Sequence, residues 1–423
     1  VAARRLRPSS GVGDGHEAIS STGARSAAAA AGKIAPLDSP ETPMRRRFAL
    51  ALSAALAAAQ AAAGGADRVF ADGFEAPRWV AGYYVGYERD LYPLGELDFS
   101  AVTHLMVGRA RPAAGGDLVT DFDIDAVNGP AWAQAAVDAA HAARRKAVLM
   151  VGGAGEIGGW RDAAAAANRA AFVASLLATV DRFGFDGLDL DWEPLESIDR
   201  PAFRALAAAL RAARPGLILT VPVGWVNANF ADPPDPYWGE IAPLFDRIAV
   251  MTYDMAGPWD GWQSWHNAAL QGEAPATPSS VASSIAFYRA SGVPAARLSM
   301  GLAFYGYCWQ GVTGPRQSGG SVAAGDGAMS YAAIATSYAT PAAEAWDAAA
   351  HVPYLSSAVP LGPAGCNFVS YDDARSIADK GAFARAQGLG GTIIWTIGQG
   401  HLGERPAGQR DPLLQAVRAA FLD

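Results

Sequence analysis

From Trp79 onward, short apolar or β-branched runs alternate with longer Ala- and Leu-rich stretches of helical period. Eight runs have the length and make-up of buried strands: 80–86, 102–108, 147–152, 185–193, 217–223, 247–253, 298–305 and 392–395. Helical patterns at 132–145, 161–183, 201–214, 279–291 and 373–387 separate most of them. Eight strands interleaved with helices predict an α/β fold of the TIM (β/α)8 barrel type. A doubly wound open sheet has the same rhythm, and strand counting alone does not separate the two. Between Tyr307 and about Ser370 the alternation lapses into Gly-rich, aromatic-dotted sequence. That segment, 307–370, reads as a small α+β lobe inserted after the seventh strand, leaving 79–306 and 371–422 to the barrel.

The fourth run carries the chemistry. In Asp186-Gly-Leu-Asp-Leu-Asp-Trp-Glu193, successive side chains of a strand face opposite ways, so Asp189, Asp191 and Glu193 share one face and Leu188, Leu190 and Trp192 the other. The apolar set belongs against the surrounding helices, which sends three carboxylates, spaced about 6.6 Å apart, into the barrel. Like charges in a low-dielectric interior cannot all ionise freely, so at least one carboxyl is expected to hold its proton to unusually high pH. A carboxylic acid protonated near neutral pH is what cleavage of a glycosidic bond requires. Glu193, at the C-terminal end where barrel sites open, is the best-placed acid. Asp191 lies one step deeper, within reach of Glu193 and substrate, and Asp189 can hold a proton for Asp191. Asp186 has the opposite parity and is expected to be structural. Barrel strands ending in acids often hold magnesium, but the next strands supply no evident further ligands, so no metal and no cofactor is expected.

Composition narrows the surroundings. The chain has 423 residues, a net charge of −8, and 12 Trp, 13 Tyr and 16 Phe, ample for a core and a sugar-stacking cleft. The first 61 residues hold eight Lys/Arg against four Asp/Glu, so the remainder is more acidic still. Nucleic acid and anionic membrane are therefore not expected partners, and a monomer is expected. Residues 1–43 lack apolar periodicity and read as disordered or as a mis-assigned upstream stretch. Met44-Arg-Arg-Arg47, the apolar run 48–59 and Ala59-Gln-Ala61 have the three-part layout of a secretory leader at 44–61. A membrane anchor is the alternative, but the run is shorter than the roughly 20 residues a spanning helix needs. Secretion is the expected fate. Two cysteines, Cys308 and Cys366, exclude a thiol-rich metal site and leave open one disulfide or two buried thiols.

The acidic strand resembles the D-x-x-D-x-D-x-E signature of family 18 glycoside hydrolases, the chitinase family, at Asp186, Asp189, Asp191 and Glu193. In the same order, Gly82-Tyr83-Tyr84 is similar to that family's first strand, Met251-Thr-Tyr-Asp254 to its sixth, and Gly390-Gly-Thr-Ile-Ile-Trp395 to its eighth. Phe368-Val-Ser-Tyr-Asp-Asp373 with Lys380 is similar to the segment leading into the last helix. The resemblance implies hydrolysis of chitin or N-acetylglucosamine oligosaccharides by substrate-assisted retention, with no cofactor. It also implies roles: Glu193 as acid and then base, Asp191 on the acetamido N–H, Tyr253 on the acetamido oxygen, Met251 and Asp254 at the same sugar, and Trp395 as its floor. Tyr83 and Tyr305 are further candidates. An endo-β-N-acetylglucosaminidase, a peptidoglycan hydrolase and a non-cutting chitin-binding lectin share the resemblance, although a lectin typically lacks the acid that Glu193 retains. Trp259, Trp262 and Trp265, within seven residues, suggest stacking for further sugars. One departure stands out: Met150-Val-Gly-Gly153 replaces the family's S-x-G-G, so the hydroxyl expected beside Asp189 is missing.

Overall fold

The computed structural model describes residues 78–229 and 233–423. The upstream stretch and the leader-like run lie outside the described residues. Eight parallel strands form the barrel: β1 Trp79–Val85, β2 His104–Pro112, β3 Lys146–Ala154, β4 Gly187–Glu193, β5 Ile218–Gly224, β6 Arg247–Met251, β7 Leu298–Ala303 and β8 Gly391–Trp395. Each strand pairs with the next, and β8 returns to β1 through Trp79↔Gly391, closing the sheet and excluding the open alternative. All eight expected runs are strands. The largest difference is β2, which runs four residues past Gly108: the barrel ladder shifts register between Val107 and Ala110, and Arg111 and Pro112 pair instead with the short antiparallel strand Leu118–Val119.

Helix Asn128–Ala142 follows β2 and Arg200–Ala213 follows β4; the latter buries Phe203, Leu206, Ala207 and Leu210, one apolar stripe at helical spacing. The single helix expected at 161–183 is two, Ile157–Ala163 and Arg169–Phe183. Asn168 breaks it by donating from Nδ2 to the Asp162 backbone carbonyl (3.0 Å) and carboxylate (3.2 Å). Between β1 and β2 only short 3-10 turns intervene. Among the described residues no helix is long and apolar enough to cross a membrane.

The lobe is chiefly sheet. Ser321–Ala324, Tyr307–Gln310, Cys366–Ser370, Val352–Leu361 and Glu344–Asp347 lie side by side in that order, all antiparallel. Cys308 and Cys366 are bonded as a disulfide, with Cα atoms 5.2 Å apart, within a cluster that includes Met329, Ile334, Leu355 and Val369. Where the chain leaves the lobe, Lys380 reaches back from helix Ala374–Gln387 to grip both oxygens of Asp372 at 2.7 and 2.6 Å, with both side chains essentially inaccessible.

That ion pair generates a stability prediction. Burial alone pushes the Lys380 ammonium toward losing its proton, and Asp372 opposes this. Lys380→Ala leaves a buried carboxylate without its cation and should cost about 3–5 kcal/mol, read as a lower urea midpoint. The double variant Lys380→Met with Asp372→Asn should lose clearly less. Equal losses in the two would show that volume, not charge, sets the cost.

Candidate active site

Strand β4 pairs with β3 along its whole length, from Val148↔Gly187 to Ala154↔Glu193, but with β5 only as far as Asp189↔Thr220. The row of acids therefore runs from the closed interior to the open mouth. At the inner end, Asp189 is fully buried and accepts hydrogen bonds from Tyr83 Oη (2.7 Å) and Thr220 Oγ1 (2.5 Å). Burial pushes its carboxyl up to about 6, and the two hydroxyls hold back a larger rise. Met150 indeed provides no hydroxyl here, and hydroxyls from β1 and β5 hold Asp189 instead. Met150 lines the cavity and packs against the bare Cα of Gly108, where a Cβ would lie 2.7 Å from its sulfur. Asp186, as its parity implies, sits outside the row and is tied to Lys146, His141 and the Ala147 backbone N–H.

In the middle of the row, Asp191 is buried, and its Oδ1 has no hydrogen-bond partner. Burial, followed by the charges of Glu193 and Asp189, raises its pKa well above the carboxylate range. Its backbone carbonyl is held by Trp160 Nε1 at 3.0 Å, which fixes the strand from outside the barrel. At the mouth, burial together with Asp254 and Asp189 brings the Glu193 carboxyl up to about 7. Glu193 thus keeps its proton to higher pH than an ordinary carboxyl, while Asp191 places a buried oxygen without a partner on the same face of the strand.

The cavity above this row measures about 340 Å³ and is lined by Tyr83, Asp191, Glu193, Met251, Tyr253, Asp254 and Trp395 among others. Seven of the expected site residues are therefore brought together. Asp254 follows β6 with φ +55°, a conformation open to Asp, and its N–H is held by Asn267 Oδ1 at 2.8 Å. Its Oδ1 accepts from Tyr305 Oη (2.6 Å) and Tyr307 Oη (2.7 Å). Tyr305 is buried and does not line the cavity, so its expected sugar contact is replaced by a grip on Asp254. Tyr307 comes from the lobe.

The lobe also supplies Asp326, which lines the cavity, accepts from Trp395 Nε1 (2.9 Å) and takes a second bond from Gln399 Nε2 (2.6 Å). Trp395 is thus locked in place, 5.2 Å from the Tyr83 ring. Sequence reasoning missed Asp326, Tyr307 and Thr220. Asp326 lies in a Gly-rich stretch without a motif, and the other two acquire their roles only through packing. Tyr87 and Arg109 also line the cavity and were likewise missed.

The tryptophan loop divides. Trp265 is fully buried, donates to the Ser279 carbonyl at 2.8 Å and carries the Arg316 guanidinium over its ring, so it is core rather than a sugar platform. Trp259 is 43% exposed, lies 6.0 Å from Trp225, and does not line the catalytic cavity.

Known proteins resemble this chain in sequence and in fold. The chain is 30% identical over 289 residues to Chitinase A1 of Niallia circulans, across 60% of this chain and 40% of that protein. It is 28% identical over 328 residues to a Class V chitinase of Arabidopsis thaliana, across 73% and 83%. The stretch matched in Chitinase A1, like that in a probable endochitinase of Caenorhabditis elegans, spans well under half of the relative's length. The crystal structure of the Group IV chitinase of Ostrinia furnacalis superposes with a TM-score of 0.69 at 26% identity, covering 82% of this chain and all of that one. The profile of Glycosyl hydrolases family 18 matches residues 80–400, from β1 through β8. With the acidic strand, the barrel and that match in agreement, the chain belongs to glycosyl hydrolases family 18.

Proposed function

We propose that this protein is a secreted chitinase that cuts β-1,4 bonds between N-acetylglucosamine units by substrate-assisted retaining catalysis. The observation that carries the reading is the pairing of an acid held up to about 7, Glu193, with a buried, unpartnered acceptor, Asp191 Oδ1, on the same face of one strand. Glu193 gives its proton to the leaving glycosidic oxygen as the C1–O bond breaks, and the bond electrons leave with that oxygen. The carbonyl oxygen of the substrate's own acetamido group bonds to C1, forming an oxazolinium ion. Asp191 accepts the acetamido N–H and, as an anion, offsets the positive charge that develops. The Tyr253 hydroxyl steadies the acetamido oxygen, Asp254 and Met251 contact the same sugar, and Trp395 forms its floor. Glu193, now a carboxylate, takes a proton from the water that opens the ring and returns C1 to its starting configuration.

The names of the relatives support this choice of substrate: several are chitinases, and the Ostrinia enzyme has been solved with allosamidin bound. Secretion is supported by the disulfide in the lobe, since such bonds persist in oxidising compartments, and by the leader-like run at 44–61.

Glu193→Gln removes the transferable proton while keeping the shape. On chitotetraose, turnover should fall by about 10²–10⁴-fold while oligosaccharide binding persists; equal product release by variant and wild type would refute the assignment. The pH dependence follows from the same group. Because Glu193 acts as an acid in its protonated form and its carboxyl is raised to about 7, kcat/KM should decline as the pH rises through that value. A profile still rising through pH ~8 would contradict the role. Finally, Tyr83→Phe and Thr220→Val each strip a hydroxyl from Asp189. Each should lower kcat by about tenfold or more, the counterpart of a lost hydrogen bond to a charged group, with KM nearly unchanged; wild-type kcat in both would show that Asp189 plays no part in the proton relay.

A further inference from the structure

Among the described residues that line the catalytic cavity, Arg109 is the one cation, facing a cleft that holds Asp191, Glu193, Asp254 and Asp326. It is held firmly. Its Nε donates to Asp123 Oδ2 at 2.9 Å, and its Nη1 donates to the Gly152 carbonyl at 3.1 Å and lies 3.3 Å from Glu156 Oε1. Gly152 is the residue of β3 in register with Asp191 of β4, so the anchor sets the guanidinium over the middle of the acid row. Gly153 makes room for it, with φ +107° and a Cβ that would lie 3.2 Å from Nη1, whereas Gly152, at φ +93°, leaves space for Trp160 and the Asp191 carbonyl. Arg109 therefore approaches the row over a glycine in a conformation that L side chains seldom adopt.

We propose that Arg109 is a positioning residue for the reaction, a fixed counter-charge that favours the anionic form of Asp191, the form that offsets the oxazolinium charge. The inference rests on the substrate-assisted reading above and extends it by naming what balances Asp191. Every other charged or titratable group around Asp191 works the other way or is neutral. Asp189 and Glu193 on its own strand repel its negative charge. Tyr83 from β1 and Tyr253 after β6 face it as neutral phenols, each with its proton held more tightly by burial first and by neighbouring carboxylates second. Asp254 and Asp326 add further negative potential at the mouth. Arg109 is the group that acts against the rise of the Asp191 carboxyl. Asp123 and Glu156, which hold the guanidinium in place, weaken its field without cancelling it, because Arg109 lines the cavity with Asp191 and they do not.

The test uses Arg109→Met and Arg109→Lys in the full chain, with Arg109→Gln in reserve should the Met variant fail to fold by circular dichroism. In the uncharged variant Asp191 should hold its proton to higher pH. The acidic limb of kcat on chitotetraose should then move upward, lowering the ratio of kcat at pH ~5 to kcat at pH ~7 by about threefold or more, the counterpart of half a pH unit. Arg109→Lys should restore most of that ratio, which a purely structural brace of the Asp123 and Glu156 loops would not do. A second readout needs no turnover: 13C NMR of aspartate-labelled protein, with Asp191 assigned through Asp191→Asn, should show its carboxyl titrating at higher pH in Arg109→Met than in wild type. Identical Asp191 titrations, or an unchanged acidic limb, would overturn the role of Arg109 while leaving chitinase activity itself intact. Wild type that releases no sugar would instead count against the function, with the NMR arm still deciding the role of Arg109.

Discussion

Three carboxylates on one buried face of one strand cannot all be charged, and the mouth of this barrel is arranged around that fact. Alternation along β4 forces Asp189, Asp191 and Glu193 inward because Leu188, Leu190 and Trp192 must pack outward. Burial then raises all three carboxyls, and the charges of neighbouring acids add to the rise at Asp191 and Glu193. The gradient along the strand differentiates their roles. Asp189 is satisfied by two hydroxyls, Asp191 has one unpartnered oxygen, and Glu193 meets the cleft. A proton available at neutral pH, and an acceptor waiting beside it, come from position on the strand rather than from unusual residues.

The lobe completes what the barrel begins. Barrel strands place Met251, Tyr253 and Trp395 at the rim, but the orientation of Asp254 depends on Asn267 and Tyr307, and that of Trp395 on Asp326. Asn267 is held in turn by Ser370, whose hydroxyl accepts its backbone N–H at 2.8 Å at the end of a lobe strand. The disulfide and the lobe's own apolar core therefore act at a distance, by keeping these few polar side chains where the cleft needs them. Loops and insertions carried on a rigid barrel are where such fine placement is expected to reside.

Much of this was legible in the sequence. The eight strands were readable because each is a short apolar run, and the acid row because a period of two allows only one assignment of faces. The hydroxyls that support Asp189 were not, since Tyr83 and Thr220 reach it only through the register of β1 and β5, which no local pattern encodes. The hydroxyl missing at Met150 is compensated in the same way, because a site can be satisfied from another strand. Trp265 and Trp259 show the limit of composition. Two tryptophans six residues apart read alike, yet one is sealed under the lobe and the other is open to solvent. Asp326 left no signal at all, being a lone acid in a Gly-rich stretch.

Since Asp189, Asp191 and Glu193 all lie on one face of one strand, the central claim is that the nucleophile belongs to the substrate. The direct measurement compares kcat/KM for paired aryl chitobiosides that differ only in carrying an N-acetyl or an N-trifluoroacetyl group on the sugar to be attacked. Fluorination withdraws electron density from the carbonyl oxygen. The account predicts a steep fall in rate on fluorination, by orders of magnitude, with binding little changed. Equal rates for the two substrates would mean that the carbonyl does not attack C1, and that another group forms the bond.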